Sequence, residues 1–217
     1  MIFRSDRTIF FHPGKAAGTA IESAFGFTDQ THPPGEVNFD VLKGWDREGE
    51  VYLQHATPSY MKPRVDPAEW RDYFKFTVVR NPYDRLVSVY DFQHRAHRRR
   101  FGDFDNFVRS LPKFLREPYQ HNGRHYIPQY EHAHIEGERV VDMVLKFEGI
   151  EADFLKLCNR VGRHMKLAPT NTATDPLRPQ CPAAEVYSDV AVATVQEVYR
   201  RDFECFGYDL EPPATLP

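Results

Sequence analysis

The feature that most constrains the fold is a short apolar strand that runs into a glycine-containing turn and then a helix. Residues 8–11 are apolar and β-prone, and the run stops at His-Pro-Gly (12–14). Apolar residues then recur at helical spacing over 20–25. Two later apolar runs, 74–79 and 140–147, also predict strands, each followed by a helical pattern. Strands that alternate with helices favour an α/β fold in which helices flank a central parallel sheet.

Length and composition narrow the class of protein. The 217 residues suit a single domain, which we predict over 1–210, with 211–217 as a frayed C-terminal tail. The 28 basic and 31 acidic side chains nearly cancel, so nucleic acid is not an expected partner and any anion site must be local. No run approaches the roughly eighteen apolar residues of a membrane span. The N-terminus lacks a secretory apolar stretch, and three widely spaced cysteines indicate a reducing, cytoplasmic location.

The turn after the first strand is the candidate anion site. Small residues at 13–19 let backbone amides approach an anion, and the helix start adds unpaired N–H groups. Lys15 adds a positive charge and Thr19 a hydroxyl. In a Walker A loop the lysine is followed at once by Ser or Thr, which holds magnesium. Here Ala16 follows Lys15, so a magnesium–nucleotide site is not favoured, and an ordinary turn with a surface lysine is the plain alternative.

Residues 10–20 resemble the 5′-phosphosulfate loop of sulfotransferases that use 3′-phosphoadenosine 5′-phosphosulfate (PAPS), most closely those of the carbohydrate branch. The sequence departs from that loop by an inserted Gly14 and by Ala20 where serine is usual, so residue 20 offers only its amide. The resemblance implies that Lys15 is catalytic and stabilises the leaving phosphate. The positions it implies for binding the 5′ end of PAPS are Lys15, Ala17, Gly18, Thr19 and Ala20.

Residues 76–90 carry a second candidate phosphate site. Arg80 ends a strand, and Asn-Pro (81–82) is a typical helix cap and first turn. The segment resembles the 3′-phosphate segment of the same family, which implies that Arg80 and Ser88 bind the 3′-phosphate. The alternative is a plain capped helix with Asp84 and Arg85 paired on the surface. Two separated phosphate sites favour a nucleotide with phosphates at both ends of its ribose.

His55 is the candidate general base. It follows the short apolar run 51–53, which we predict to be a strand ending at the same edge of the sheet. The unperturbed pKa of a histidine side chain lies near neutrality, so it can take a proton from an acceptor hydroxyl. The resemblance supports this role, because family members have a catalytic histidine between the two phosphate segments. The alternatives are that His55 only packs, or that His12 is the base; we interpret His12 as a positioning residue.

Other features give weaker predictions. The basic run 94–100 could bind an anionic acceptor or be a solvated helix end. The pairs His132/His134 and His121/His125 have metal-compatible spacing, but no cysteine or carboxylate completes a site, so no metal is expected. Glu148 is predicted to be structural. Asn171 and Thr172 could contact the nucleotide.

These resemblances imply a PAPS-dependent sulfotransferase with a P-loop-like three-layer sandwich. The enzyme would move the sulfuryl group of PAPS to a hydroxyl acceptor by in-line attack and release 3′-phosphoadenosine 5′-phosphate (PAP). The branch favours a sugar or glycan acceptor, although a small molecule is also possible. The alternatives are a metal-dependent nucleotide kinase and a non-catalytic module that binds a nucleotide or glycan.

Overall fold

The structure is a computed structural model that describes residues 1–28, 37–92, 99–116, 125–168 and 181–216. The described strands are β1 (Ile2–Phe3), β2 (Thr8–Phe11), β3 (Trp45–Asp46), β4 (Val51–Tyr52), β5 (Phe74–Val79), β6 (His134–Ile135), β7 (Glu138–Arg139), β8 (Met143–Lys146), β9 (Cys181–Pro182) and β10 (Thr215–Leu216). The described α-helices are α1 (Gly18–Ala24), α2 (Pro58–Met61), α3 (Pro67–Asp72), α4 (Pro82–Phe92), α5 (Phe104–Arg109), α6 (Leu111–Phe114), α7 (Ile150–Val161), α8 (Ala183–Val186), α9 (Asp189–Val198) and α10 (Arg200–Phe206).

A four-stranded sheet forms the centre, in the order β1-β2-β5-β8. The strands β2, β5 and β8 are parallel, whereas β1 pairs with β2 in the antiparallel sense. Across the pair β2–β5, the Thr77 hydroxyl donates a hydrogen bond to the Phe11 carbonyl at 2.8 Å. The prediction of a mixed α/β fold with a mostly parallel central sheet is confirmed. The carboxyl ends of the parallel strands meet at one edge, where ligands bind in such sheets.

Helices cover both faces of this sheet because its side chains alternate in direction. On one face, sheet residues pack against α1 and α7; they are Phe10, Phe76, Val78 and Leu145. On the other face, Ile9, Phe11 and Val79 pack with Met61 of α2 and Phe206 of α10. A further apolar cluster joins α4, α5, α6, α9 and α10. The sheet is therefore buried between layers, which explains why its short strands are mostly apolar.

The C-terminal segment differs from the prediction that 211–217 frays. Thr215–Leu216 forms an antiparallel pair with Cys181–Pro182, and Leu216 is only 1% exposed. The apolar side chain of Leu216 joins the helical cluster of α4 and α9, and this burial holds the tail.

No helix within the described ranges is long and apolar enough to cross a membrane. Two described cysteines, Cys158 and Cys205, are free thiols.

Candidate active site

The loop between β2 and α1 has an unusual backbone. Lys15 and Ala17 both adopt left-handed conformations, with φ of 67° and 64°. Such conformations are uncommon for residues with a side chain and cluster at ligand-binding loops. Gly18 then starts the helix, and a Cβ atom there would lie 1.6 Å from Nε2 of His12. The loop therefore wraps tightly around the His12 ring, which only a glycine at position 18 allows.

A buried acidic side chain holds His12 in this place. His12 is 4% exposed, and its Nδ1 donates to Oε1 of Glu22 in α1 at 2.8 Å. Nζ of Lys43 lies 3.4 Å from the other oxygen of Glu22. Burial alone would raise the pKa of the Glu22 carboxyl, but the hydrogen bond from His12 and the charges of His12 and Lys43 outweigh it, so the pKa is lowered. His12 is thus held in the interior, and the loop packs around its ring.

Lys15 and Arg80, predicted to bind the two phosphates, lie side by side. Nη1 of Arg80 is 3.5 Å from the Lys15 carbonyl oxygen. The Lys15 ammonium lies 4.2 Å from the ring centre of Phe92, at the end of α4. Burial lowers the pKa of Lys15, the charge of Arg80 lowers it further, and Asp91 opposes this shift. The segments that follow β2 and β5 therefore bring two positive charges together at one partly buried site.

The segment after β5 follows the predicted cap. Asn81 accepts a hydrogen bond from the Tyr83 amide at 2.9 Å through its side-chain oxygen. Glu148 accepts from the Asn81 amide at 2.6 Å and from the Tyr208 hydroxyl at 3.0 Å. Glu148 therefore joins the start of α4 to the segment after α10. Ser88 lies in the second turn of α4 and is partly buried.

The alternative that Arg85 forms a surface pair with Asp84 is wrong. Arg85 is 1% exposed and donates to the carbonyl oxygens of His125 at 3.0 Å and Ile127 at 2.6 Å. Its Nη1 also lies 3.7 Å from Asp202, a fully buried carboxylate of α10. The side of α4 that carries Arg85 packs against the loop before residue 129, which the local sequence could not indicate.

His55 lies beside the loop, but it does not follow a strand of the central sheet as predicted. The run before it is not part of the central sheet, because Val51–Tyr52 pairs with Trp45–Asp46 in a separate antiparallel hairpin. His55 instead ends a 3-10 turn over Leu53–His55. Its Nδ1 lies 3.0 Å from the His12 carbonyl oxygen, and the two ring centres are 4.5 Å apart.

The hydrogen bond to His12 defines the tautomer of His55. A carbonyl oxygen can only accept, so Nδ1 carries the hydrogen. In the neutral ring, Nε2 is then the nitrogen that accepts a proton. A second ring, that of His125, lies edge-on to His55 with centres 5.5 Å apart. The ring of His55 therefore lies beside the loop, at a position that depends on the loop backbone.

The other histidines do not assemble a metal site within the described ranges. Nε2 of His132 lies 3.2 Å from the His55 carbonyl oxygen, and burial followed by the nearby charge of Arg85 lowers the pKa of His132 to about 3. Nδ1 of His134 donates to the Tyr130 carbonyl at 3.0 Å. No group of three or more metal-ligating side chains is found in the part of the chain that the structure describes. Other residues predicted to be functional lie outside that part: His121, residues 94–98 of the basic run, Asn171 and Thr172.

One residue of this site was missed by the sequence analysis. The side chain of Gln129 bonds both main-chain groups of Arg80, at 2.8 Å each. The two residues are 49 positions apart, and no local motif marks Gln129.

Fold and site together define an α/β protein with two neighbouring cationic side chains at the carboxyl ends of its parallel strands. Comparison with known proteins gives the family. The model described as "Sulfotransferase family" matches residues 2–209, so the chain belongs to the sulfotransferase family. Mouse carbohydrate sulfotransferase 14 is 30% identical over 205 residues, which cover 80% of this chain and 51% of the mouse protein. The chain thus spans about half the length of this curated relative. No solved structure matched the chain.

Proposed function

We propose that this protein is a PAPS-dependent sulfotransferase that moves the sulfuryl group of PAPS to a hydroxyl of a sugar or glycan and releases PAP. The observation that carries the proposal is the juxtaposition of Lys15 and Arg80. Two like charges at a partly buried site repel each other, and a bound polyanion offsets that repulsion. PAPS has phosphates at both ends of its ribose and so suits two neighbouring cations from separate strand tips.

The 5′ end of PAPS is assigned to the loop. The first amides of a helix have no intrahelical acceptor, so Gly18 and Thr19 have amides directed outward from the helix start. The missing Cβ of Gly18 leaves room for the His12 ring against the loop, and Ala17 completes the turn. The Ala20 amide already donates to the Ala17 carbonyl at 3.1 Å, so we expect Ala20 to contribute less than its neighbours.

The 3′-phosphate is assigned to Arg80 and Ser88. A guanidinium presents a planar set of donors that matches phosphate oxygens. The guanidinium of Arg80 lies over the ring of Phe147, with 4.3 Å between the guanidinium carbon and the ring centre. Ser88 is in the helix that starts directly after Arg80. The loop after β2 and the segment after β5 would then each hold one phosphate, at the carboxyl ends of strands in a sheet that helices cover on both faces. For this reason we propose a P-loop-like three-layer sandwich.

In this reaction the residues of the chain have two tasks: to accept a proton and to stabilise negative charge. PAPS supplies a sulfuryl group whose leaving group is a phosphate. Nε2 of His55 takes the proton of the acceptor hydroxyl. Lys15 stabilises the negative charge that grows on the leaving phosphate oxygen, a task that needs no metal. A sugar or glycan acceptor is favoured over other small molecules because the matching mouse relative is a carbohydrate sulfotransferase. The cytoplasmic location stays a prediction.

The direct test is transfer of labelled sulfate from PAPS to a panel of free sugars and desulfated polysaccharides, with EDTA present. We expect transfer by the wild type and about 10²–10³-fold less by Lys15→Met. PAP should raise the melting temperature without magnesium. A rise with ATP that requires magnesium, and none with PAP, would support the kinase alternative. Binding of PAP without transfer to any acceptor, even after the panel is widened to phenols and amines, would support a non-catalytic module.

A further inference from the structure

Both main-chain polar groups of Arg80 are bonded to one side chain. The pairing between β5 and β8 ends at Val79 opposite Lys146, so Arg80 is the first residue beyond that ladder. Oε1 of Gln129 accepts from the Arg80 amide, and Nε2 of Gln129 donates to the Arg80 carbonyl, both at 2.8 Å. The carboxamide thereby replaces a neighbouring strand for one further residue.

Gln129 is itself held by a buried carboxylate. Gln129 and Asp202 are both fully buried. The amides of Gln129 and Tyr130 donate to the two oxygens of Asp202, at 2.9 and 2.7 Å. Nε2 of Gln129 also lies 3.3 Å from Asp202, and the guanidinium of Arg85 is close to the same carboxylate. Every polar atom of the Gln129 side chain is thus engaged, which leaves the carboxamide one orientation.

We propose that Gln129 is a positioning residue for recognition of the 3′-phosphate, an inference that rests on the function proposed above. Arg80 stands between the end of β5 and the capped start of α4, where the chain turns. The bonds from Gln129 fix the direction of the Arg80 main chain at this turn. The guanidinium therefore starts from a defined Cα position, and its carbon lies 4.3 Å from the ring centre of Phe147. A fixed donor binds a phosphate more tightly than a mobile one because less conformational entropy is lost.

The experiment compares two nucleotides that differ only in the 3′-phosphate, PAP and adenosine 5′-phosphate, by calorimetry. The variant Gln129→Met keeps the length of the side chain and removes both hydrogen bonds to Arg80. We expect PAP to bind about tenfold more weakly, since a charge-assisted contact loses its fixed geometry, while adenosine 5′-phosphate changes by less than about twofold. A purely structural role would weaken both nucleotides alike and leave their ratio unchanged.

Two further variants keep the test decisive. Tyr199→Phe removes another fully buried hydrogen bond, from the Tyr199 hydroxyl to the Tyr126 carbonyl at 2.9 Å, and should leave the ratio unaltered. In an Arg80→Ala background, Gln129→Met should cause no further loss of PAP affinity, because the residue acts through Arg80.

If Gln129→Met does not fold, Gln129→Asn retains the amide but is one methylene too short to reach both groups, and its ratio should also fall. A wild type that binds PAP no better than adenosine 5′-phosphate would overturn the proposed 3′-phosphate site itself. A wild type that prefers PAP, with that preference intact in the Gln129 variants that fold, would overturn only the role of Gln129.

Discussion

Nδ1 of His55 donates a hydrogen bond to the main-chain carbonyl of His12 at 3.0 Å. This contact joins the candidate base to the first residue of the loop between β2 and α1, although the two are 43 positions apart. It selects the tautomer whose Nε2 accepts a proton, and it fixes the position of the His55 ring relative to the loop.

We therefore predict that His55→Ala lowers kcat by roughly 10²–10⁴, the usual contribution of a general base, and leaves PAP affinity nearly unchanged. The kcat of the wild type should rise with pH as the base loses its proton. This rise should be absent from the pH profile of the variant. Steady-state kinetics over pH 5–9 measures both. His134→Gln, which alters another buried histidine, is the control. A variant that retains wild-type kcat would exclude His55 as the base.

Removal of the Lys15 charge should affect turnover more than binding. The negative charge on the leaving oxygen grows only as the bond to sulfur breaks, so an ammonium there stabilises the transition state above the ground state. Lys15→Met should reduce kcat about 10²–10³-fold and weaken PAP by a smaller factor, since loss of the ammonium also relieves its repulsion with Arg80. Lys156→Met, at an exposed lysine of α7, is the matched control. Equal losses in kcat and in affinity would contradict this role.

Gly18→Ala should be destabilising because the new methyl group would overlap the His12 ring. Overpacking of this kind costs about 1–3 kcal/mol, and urea unfolding measures it. In a His12→Ala background the space is open, so the same change should cost clearly less, and a double-mutant cycle isolates the difference. Additive effects in the cycle would mean that the ring moves aside without loss.

Arg85→Ala should reduce the free energy of unfolding by about 3–5 kcal/mol, because it leaves Asp202 and two carbonyl groups in the interior without this donor. Chemical denaturation gives the value. The comparison is Arg109→Ala, which removes a half-exposed pair with Asp105 and should cost less than about 1 kcal/mol. If the two variants are equally stable, Arg85 does not hold the interface between α4 and α10.

The stability of the protein should fall in acid partly through Glu22. The pKa of this carboxyl is lower in the folded protein than its ordinary value, so the unfolded chain takes up the proton first as the pH drops. The contribution is therefore complete above the ordinary carboxyl range and is lost as the pH falls through the lowered pKa. Glu22→Gln should flatten the dependence of unfolding free energy on pH between 6 and 3. Parallel curves for the two proteins would contradict the prediction.

Several elements followed from local sequence alone. The run 74–79 is a strand, and the helix after it starts at Pro82 with Asn81 as its cap, as predicted. These elements depend on contacts between residues a few positions apart, so they can be predicted from the order of residue types. The sheet to which the hairpin before His55 belongs could not be predicted, because a short apolar run does not indicate which strand it pairs with.

The sequence by itself determined the class of fold, the loop that carries Lys15 and the strand end that carries Arg80. Tertiary structure alone decided that Arg85 is buried, that His55 hydrogen-bonds to the carbonyl of His12, and that Gln129 hydrogen-bonds to the main chain of Arg80. The physical reason is distance along the chain: these contacts join residues 40 or more positions apart. They exist only once the helical layers dock on the sheet, whereas a strand, a turn or a cap forms from its immediate neighbours.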